Sequence, residues 1–153
     1  AAVACGIRRI IHTGPRRPRS GLEEDYWLQP DLPDDVPFRV GSHLYGISKH
    51  LGDQIVRTYA EKHDLEVVCF LYSRLAPSDG GSYRSEPPLP FNVVSWEDAG
   101  EAFRCGLRVE TLPRPYEVFN ILADLPHGIH NSGKAQRVLG WRPKHNFEEL
   151  CRG

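Results

Sequence analysis

No methionine occurs anywhere in this chain, so an ordinary initiator residue is missing. The opening Ala1-Ala-Val-Ala-Cys-Gly-Ile7 has the character of a helix end, and a piece of a longer protein is the expectation. No apolar run approaches the roughly 20 residues of a transmembrane helix, and no signal-peptide pattern opens the sequence. The formal net charge is only −1, so no overall field recruits nucleic acid or an anionic membrane. The four cysteines (Cys5, Cys69, Cys105, Cys151) are scattered without a Cys-x-x-Cys pair. That spacing argues against a zinc site and a disulfide scaffold, and it suits a reducing cytoplasm. The dinucleotide fingerprint Gly-x-Gly-x-x-Gly is also absent. What is present is ordinary for a globular protein: 153 residues, 40% hydrophobic and 25% charged, enough for one domain or one domain and a fraction.

Along the chain the pattern is α/β. Gly6 is suited to cap a helix end, and Ile7 to Thr13 form a short β-branched run with a polar exit, which predicts a strand. From Gly14 to Gly41 there is no periodicity, and five prolines punctuate a segment that turns from basic to acidic. So long a loop is either solvated surface or a flap over a site. Ser42 is a suitable N-cap, and Leu44, Ile47, Leu51, Ile55 and Tyr59 recur with helical spacing to about His63. Leu65 to Tyr72 is nearly all apolar, as in a buried parallel strand. A Pro/Gly/Ser loop over Ala76 to Pro90 follows, then a short strand over Phe91 to Ser95. Trp96 to Val109 predicts a helix capped by Ser95, with Glu97 and Asp98 in its first turn. Tyr116 to Ile121 predicts a strand, and Asn131 to Leu139 a helix closed by Gly140 and stopped by Pro143.

Three candidate sites fail on their chemistry. Gly128 to Lys134 has phosphate-loop spacing, but Ala135 stands where a magnesium-binding Ser or Thr is required, and capping by Asn131 explains the residues better. His127 and His130 have no carboxylate or cysteine cluster beside them, so no metal site is expected. Arg16, Arg17 and Arg19 lack an aromatic platform for nucleic acid.

Tyr45 and Lys49 are different. Four residues apart on a helix, they share one face one turn apart. A free phenol has a pKa near about 10, and general acid–base work favours a value near ambient pH. Closing a gap of roughly three units takes about 4 kcal/mol, part of which a neighbouring cation supplies.

The order of strand, long loop, Tyr45-x-x-x-Lys49 helix and apolar strand resembles the second half of the extended short-chain dehydrogenase/reductase superfamily, specifically its NAD-dependent epimerase/dehydratase family. Phe91-Asn-Val-Val-Ser-Trp-Glu-Asp-Ala-Gly-Glu-Ala102, Tyr116-Glu-Val-Phe-Asn-Ile121 and Lys134-Ala-Gln-Arg-Val-Leu-Gly-Trp-Arg-Pro143 resemble that family's later segments, in the right order. Among subfamilies, the chain somewhat resembles uronate dehydrogenases and related sugar-nucleotide-modifying enzymes.

The resemblance implies a partial Rossmann-like parallel sheet without its first cofactor-binding strands, its second half over residues 1–75, and over 76–153 a small α/β substrate-binding region with the closing strand and helices. It implies NAD or NADP as cofactor and a sugar, sugar nucleotide or uronate hydroxyl as substrate. Tyr45 would exchange the substrate proton, Lys49 would hold the nicotinamide ribose, and Tyr72 and Ser73 would lie near the nicotinamide. Thr13 would offer a hydroxyl to the substrate, and Arg74 would stand at a substrate-contacting position. A homodimer through the 42–63 helix is also implied, with Val56 and Ala60 hinting at a second apolar face. Two departures stand out: Pro15 occupies the place of the family's catalytic Ser or Thr, and Leu71 replaces a common Arg. The alternative is therefore an inactive Rossmann-like binding module, and the chain by itself is not expected to turn over substrate.

Overall fold

The computed structural model describes residues 1–15, 44–72, 74–84, 93–125 and 131–150. Strand β1 (Arg9–Pro15) is followed by helix α1 (Leu44–Lys62), β2 (Glu66–Tyr72) and β3 (Arg74–Ala76). Then come β4 (Val93–Ser95), helix α2 (Trp96–Arg108), β5 (Tyr116–Asn120) and helix α3 (Gly133–Leu139). The chain opens on a 3₁₀ turn at Val3–Cys5, closed by Gly6 at φ 69° with its N–H on the Val3 carbonyl. Gly6 thus performs the left-handed closure that its sequence position suggests.

β1, β2 and β5 form a parallel sheet with β2 in the centre. β3 and β4, also parallel, form a separate two-stranded ribbon. The central strand is buried along nearly its whole length because both of its faces are covered. Val67, Cys69 and Leu71 pack with Tyr116, Val118, Val56 and Ala60 on the α1 side. Val68 and Phe70 pack with Phe119, Ala102, Ala135, Leu139 and Trp141 on the α2 and α3 side. This is the two-residue alternation of a strand covered above and below. The chain has a partial α/β Rossmann-like fold.

Helix α1 corrects the simplest reading of its sequence. The stripe that marks it as helical is not the face it buries: Leu44 is 79% exposed and Ile55 59%, and Ile47, Leu51 and Tyr59 are exposed as well. The face on the sheet carries Asp53, Val56 and Ala60, with Ala60 1% exposed. Val56 and Ala60 are therefore the sheet-packing residues and not an outward second face. A small alanine lets the helix approach β2 closely, whereas the bulky stripe would hold it off.

Two polar fastenings close the ends. Arg9 Nε donates to Glu66 Oε2 at 2.9 Å, and Glu66 Oε1 accepts from the Leu112 backbone at 3.2 Å, tying β1 and β2 to the segment after α2. Ser95 caps α2 as its sequence indicates, its Oγ accepting from the Asp98 backbone at 2.9 Å. The Asp98 carboxylate accepts from the backbones of Lys144 and His145 at 3.0 and 2.9 Å. Trp141, wholly buried, donates its indole N–H to the Asp98 carbonyl at 2.9 Å. α3 starts at Gly133, whose N–H is held by the Asn131 side chain, and closes at Gly140 with φ 67°. No helix among the described residues is long and apolar enough to cross a membrane.

Candidate functional site

Topology carries Tyr45 and Lys49 to one edge of the sheet. α1 ends just before β2 begins, so the helix runs back against the strands, and Ala60 packs near the start of β2. Asp53 has reached the level of Cys69, in the middle of β2. From Asp53 to Tyr45 is eight residues, about 12 Å of helix rise. From Cys69 to Tyr72 is three residues, about 10 Å of strand. Tyr45 therefore sits at the carboxyl ends of the parallel strands, the edge at which open α/β sheets bind ligands. There the phenol is half-exposed, and Lys49 Nζ lies 5.9 Å from its ring centroid. A half-exposed phenol with an ammonium over its ring is a donor set suited to hydroxyl ligands.

The other expected site residues share that edge without forming one constellation. Thr13 pairs with Phe70 in the β1–β2 register and Pro15 with Tyr72, so both lie in the last three residues of β1. The Tyr72 ring packs against the α2-side core, and by strand alternation Thr13 follows Ile11 to that same side. Arg74 opens β3 and is exposed. Direct contact exists between Tyr45 and Lys49. Ser73, Ser42, the 16–43 segment and the histidines at 127 and 130 lie outside the described residues.

The structure adds a polar cluster that sequence reasoning missed. His12 on β1 and Cys69 on β2 are register partners, and Asp53 descends from α1 between them. His12 Nε2 lies 3.8 Å and Cys69 Sγ 3.9 Å from Asp53 Oδ1, and the three donor atoms all fall within 4.8 Å of one another. The Tyr116 hydroxyl donates to the same carboxylate oxygen. The available signal was a His and a Cys interrupting two apolar strands, with an Asp three residues before Val56 and seven before Ala60 on one helix face.

Elsewhere, buried charge is structural. Burial pushes the Glu117 carboxyl up, but hydrogen bonds from Arg114 and Lys134 outweigh it and hold the group below the usual carboxylate range. Arg114 Nε lies 2.9 Å from Oε1, and Lys134 Nζ lies 2.6 Å from Oε2. Burial, reinforced by the Glu101 carboxylate, pushes the Cys105 thiol up and leaves it a poor nucleophile. A cleft of about 360 Å³ lined by Ser78, Asp79 and the 147–150 turn contains none of the residues expected at the site.

With fold and geometry in view, known proteins supply context. No family model matches the chain. An NAD-dependent glucose-6-phosphate dehydrogenase of Haloferax volcanii is 27% identical over 114 residues, which is 71% of this chain and 40% of that protein. The uronate dehydrogenase of Agrobacterium tumefaciens superposes with a TM-score of 0.63 at 21% identity, over 94% of this chain and 49% of that one. DesIV, a dTDP-glucose 4,6-dehydratase of Streptomyces venezuelae solved with NAD bound, gives 0.69 at 16% identity, over 99% and 60%. The chain thus shares a Rossmann-like fold with epimerase, dehydratase and uronate dehydrogenase structures, and its sequence is similar, at low identity, to that of an NAD-dependent dehydrogenase. It spans about half the length, or less, of the glucose-6-phosphate and uronate dehydrogenases.

Proposed function

We propose that this chain is the catalytic-helix portion of an NAD(P)-dependent oxidoreductase, epimerase or dehydratase acting on a hydroxyl of a sugar, sugar nucleotide or uronate. The observation carrying this reading is the Tyr45–Lys49 pair, the ammonium over the half-exposed phenol ring at the carboxyl edge of a parallel sheet. Residues 1–75 form the second half of the Rossmann-like portion, and 76–153 supply its closing strand and helices together with the substrate-binding region. Tyr45 exchanges a proton with the substrate hydroxyl. Lys49 hydrogen-bonds the nicotinamide ribose, and its charge favours the phenolate as the proton leaves. The residues present fit the nicotinamide end of a cofactor, because a phenol and an ammonium stand side by side at the ligand edge. The Gly-rich turn for its pyrophosphate is not in this sequence. When bound, NAD or NADP supplies the hydride acceptor or donor. Thr13 offers a second hydroxyl to the substrate, Tyr72 and Ser73 border the nicotinamide, and Arg74 suits an acidic sugar. The exposed stripe on α1 suits a homodimer packed helix against helix.

The test is turnover of uronates, sugar phosphates and sugar nucleotides by a protein that joins this chain to its pyrophosphate-binding half. Tyr45→Phe is expected to lower kcat at least about a hundredfold, and unchanged turnover refutes the assignment. Pro15, standing where a Ser or Thr serves the resembled family, favours a second reading as an inactive binding module. That reading predicts cofactor binding without turnover, and Pro15→Ser is the variant that separates the two.

A further inference from the structure

The His12, Asp53 and Cys69 cluster has a use that the nicotinamide reading does not call on. Each residue comes from a different element (β1, α1 and β2), and Asp53 and Cys69 are buried beneath the helix. The donor set is one imidazole, one carboxylate and one thiol, the mixture of nitrogen, oxygen and sulfur that a borderline-soft divalent ion prefers.

His12 Nε2 stands 3.8 Å from Asp53 Oδ1, and the Cys69 thiol donates to that same oxygen at 3.9 Å, so imidazole, carboxylate and thiol converge on one point with spacing that an ion can bridge. Metal–ligand bonds of about 2.0–2.3 Å at tetrahedral angles put neighbouring donors roughly 3.4–3.6 Å apart. The observed separations exceed that by a few tenths of an ångström for His12–Asp53 and Cys69–Asp53, and the widest pair, within 4.8 Å, by up to about 1.2 Å. Side-chain rotations that move His12 and Cys69 together by about 1 Å close the set around one ion. The Tyr116 hydroxyl, donating to Asp53 Oδ1, is placed as the outer-shell group that orients a ligating carboxylate. The His12 side chain is 20% exposed, which leaves an entry path for an ion.

We propose that His12, Asp53 and Cys69 bind one thiophilic divalent ion of the Zn²⁺ class, which pins α1, and with it Tyr45 and Lys49, to the sheet. Cys69 binds as the thiolate and releases its proton to solvent. The proposal stands apart from the nicotinamide reading and is tested without any turnover assay.

Co²⁺ is the probe. Titrated into the metal-stripped full chain, one equivalent is expected to develop a thiolate-to-cobalt charge-transfer band and visible bands of tetrahedral intensity, both removed by Zn²⁺. Cys69→Ser should abolish the charge-transfer band, and Asp53→Asn should weaken Co²⁺ binding at least about tenfold. Cys5→Ser, altering the exposed thiol, should leave the spectrum unchanged. In the unaltered chain, Zn²⁺ at a hundredfold excess over its Kd should raise Tm by about 5–10 °C. This measurement needs no variant to fold. A stoichiometric Co²⁺ titration without a charge-transfer band overturns the proposal. So does the same band in Cys69→Ser, or a Tm indifferent to Zn²⁺.

Discussion

Alanine at two glycines of the same helix should move stability in opposite directions. Gly106 lies on the buried side of α2, and a Cβ there would come 2.9 Å from Phe70 Cζ, 3.3 Å from Val68 Cγ1 and 3.4 Å from Ile11 Cδ1. Carbon atoms rest comfortably at about 3.5–4.0 Å. Phe70 cannot retreat: it is fully buried, with Phe103 edge-on at 5.3 Å and Phe119 at 6.4 Å between ring centroids. Overpacking of this kind costs about 1–3 kcal/mol, against a helix-propensity gain of about 1 kcal/mol. Gly106→Ala should therefore destabilise by about 1 kcal/mol. Gly100, one and a half turns earlier and exposed, has nothing within 4 Å of its Cβ position. Gly100→Ala keeps the propensity gain of about 0.5–1 kcal/mol. At about 2–4 °C per kcal/mol for a chain of this size, the two variants should melt about 3–8 °C apart, with Gly100→Ala the higher. Thermal unfolding followed by far-ultraviolet circular dichroism measures the gap. Equal stabilisation by both substitutions would refute the packing of α2 on β1 and β2.

Other expectations test separate parts of the architecture. Glu117→Gln should lower stability at neutral pH by about 2 kcal/mol, because Lys134 and Arg114 lose their charged acceptor. Since the folded Glu117 carboxyl is held low, its contribution is present above the ordinary value near about 4.3 and is lost as pH falls through the folded value. Urea melts across pH 7 to 3 should therefore show the variant and the parent converging in acid, and a gap that widens in acid contradicts the ion-pair account. Asp98→Ala should cost about 2–3 kcal/mol by stripping the acceptor from the Lys144 and His145 backbones, read as a fall in the denaturation midpoint. On α1, Gln54→Lys should be near neutral and Ala60→Lys severely destabilising, since one residue is exposed and the other packs on the sheet. Alkylation of the native protein should label Cys5 before Cys69 or Cys105, and mass spectrometry of peptides at short times decides the order.

Most of the fold was legible in the sequence because its signals are local. β2 declares itself by an unbroken apolar run, which a parallel strand needs when both faces are covered. Ser95, Glu97 and Asp98 mark the start of α2, and Gly140 marks the end of α3, because caps satisfy orphaned backbone groups within a few residues. Boundaries drifted by one to two residues at β1 and α3, and β3 went unforeseen because its three residues pair only with the distant β4.

By itself, then, the sequence determined the order of elements, their caps and the one-turn spacing of Tyr45 and Lys49. These follow from backbone geometry and nearest neighbours. Tertiary structure alone decided which face of α1 meets the sheet. Periodicity reports that an apolar stripe exists, whereas close helix–sheet approach rewards the small Ala60 over the bulkier Leu51 or Ile55. It alone brought His12, Asp53 and Cys69 to within 4.8 Å, from positions up to 57 residues apart in the chain. Neither spacing nor composition foretells such a meeting, because it is set by the strand register and by the depth at which the helix lies on the sheet.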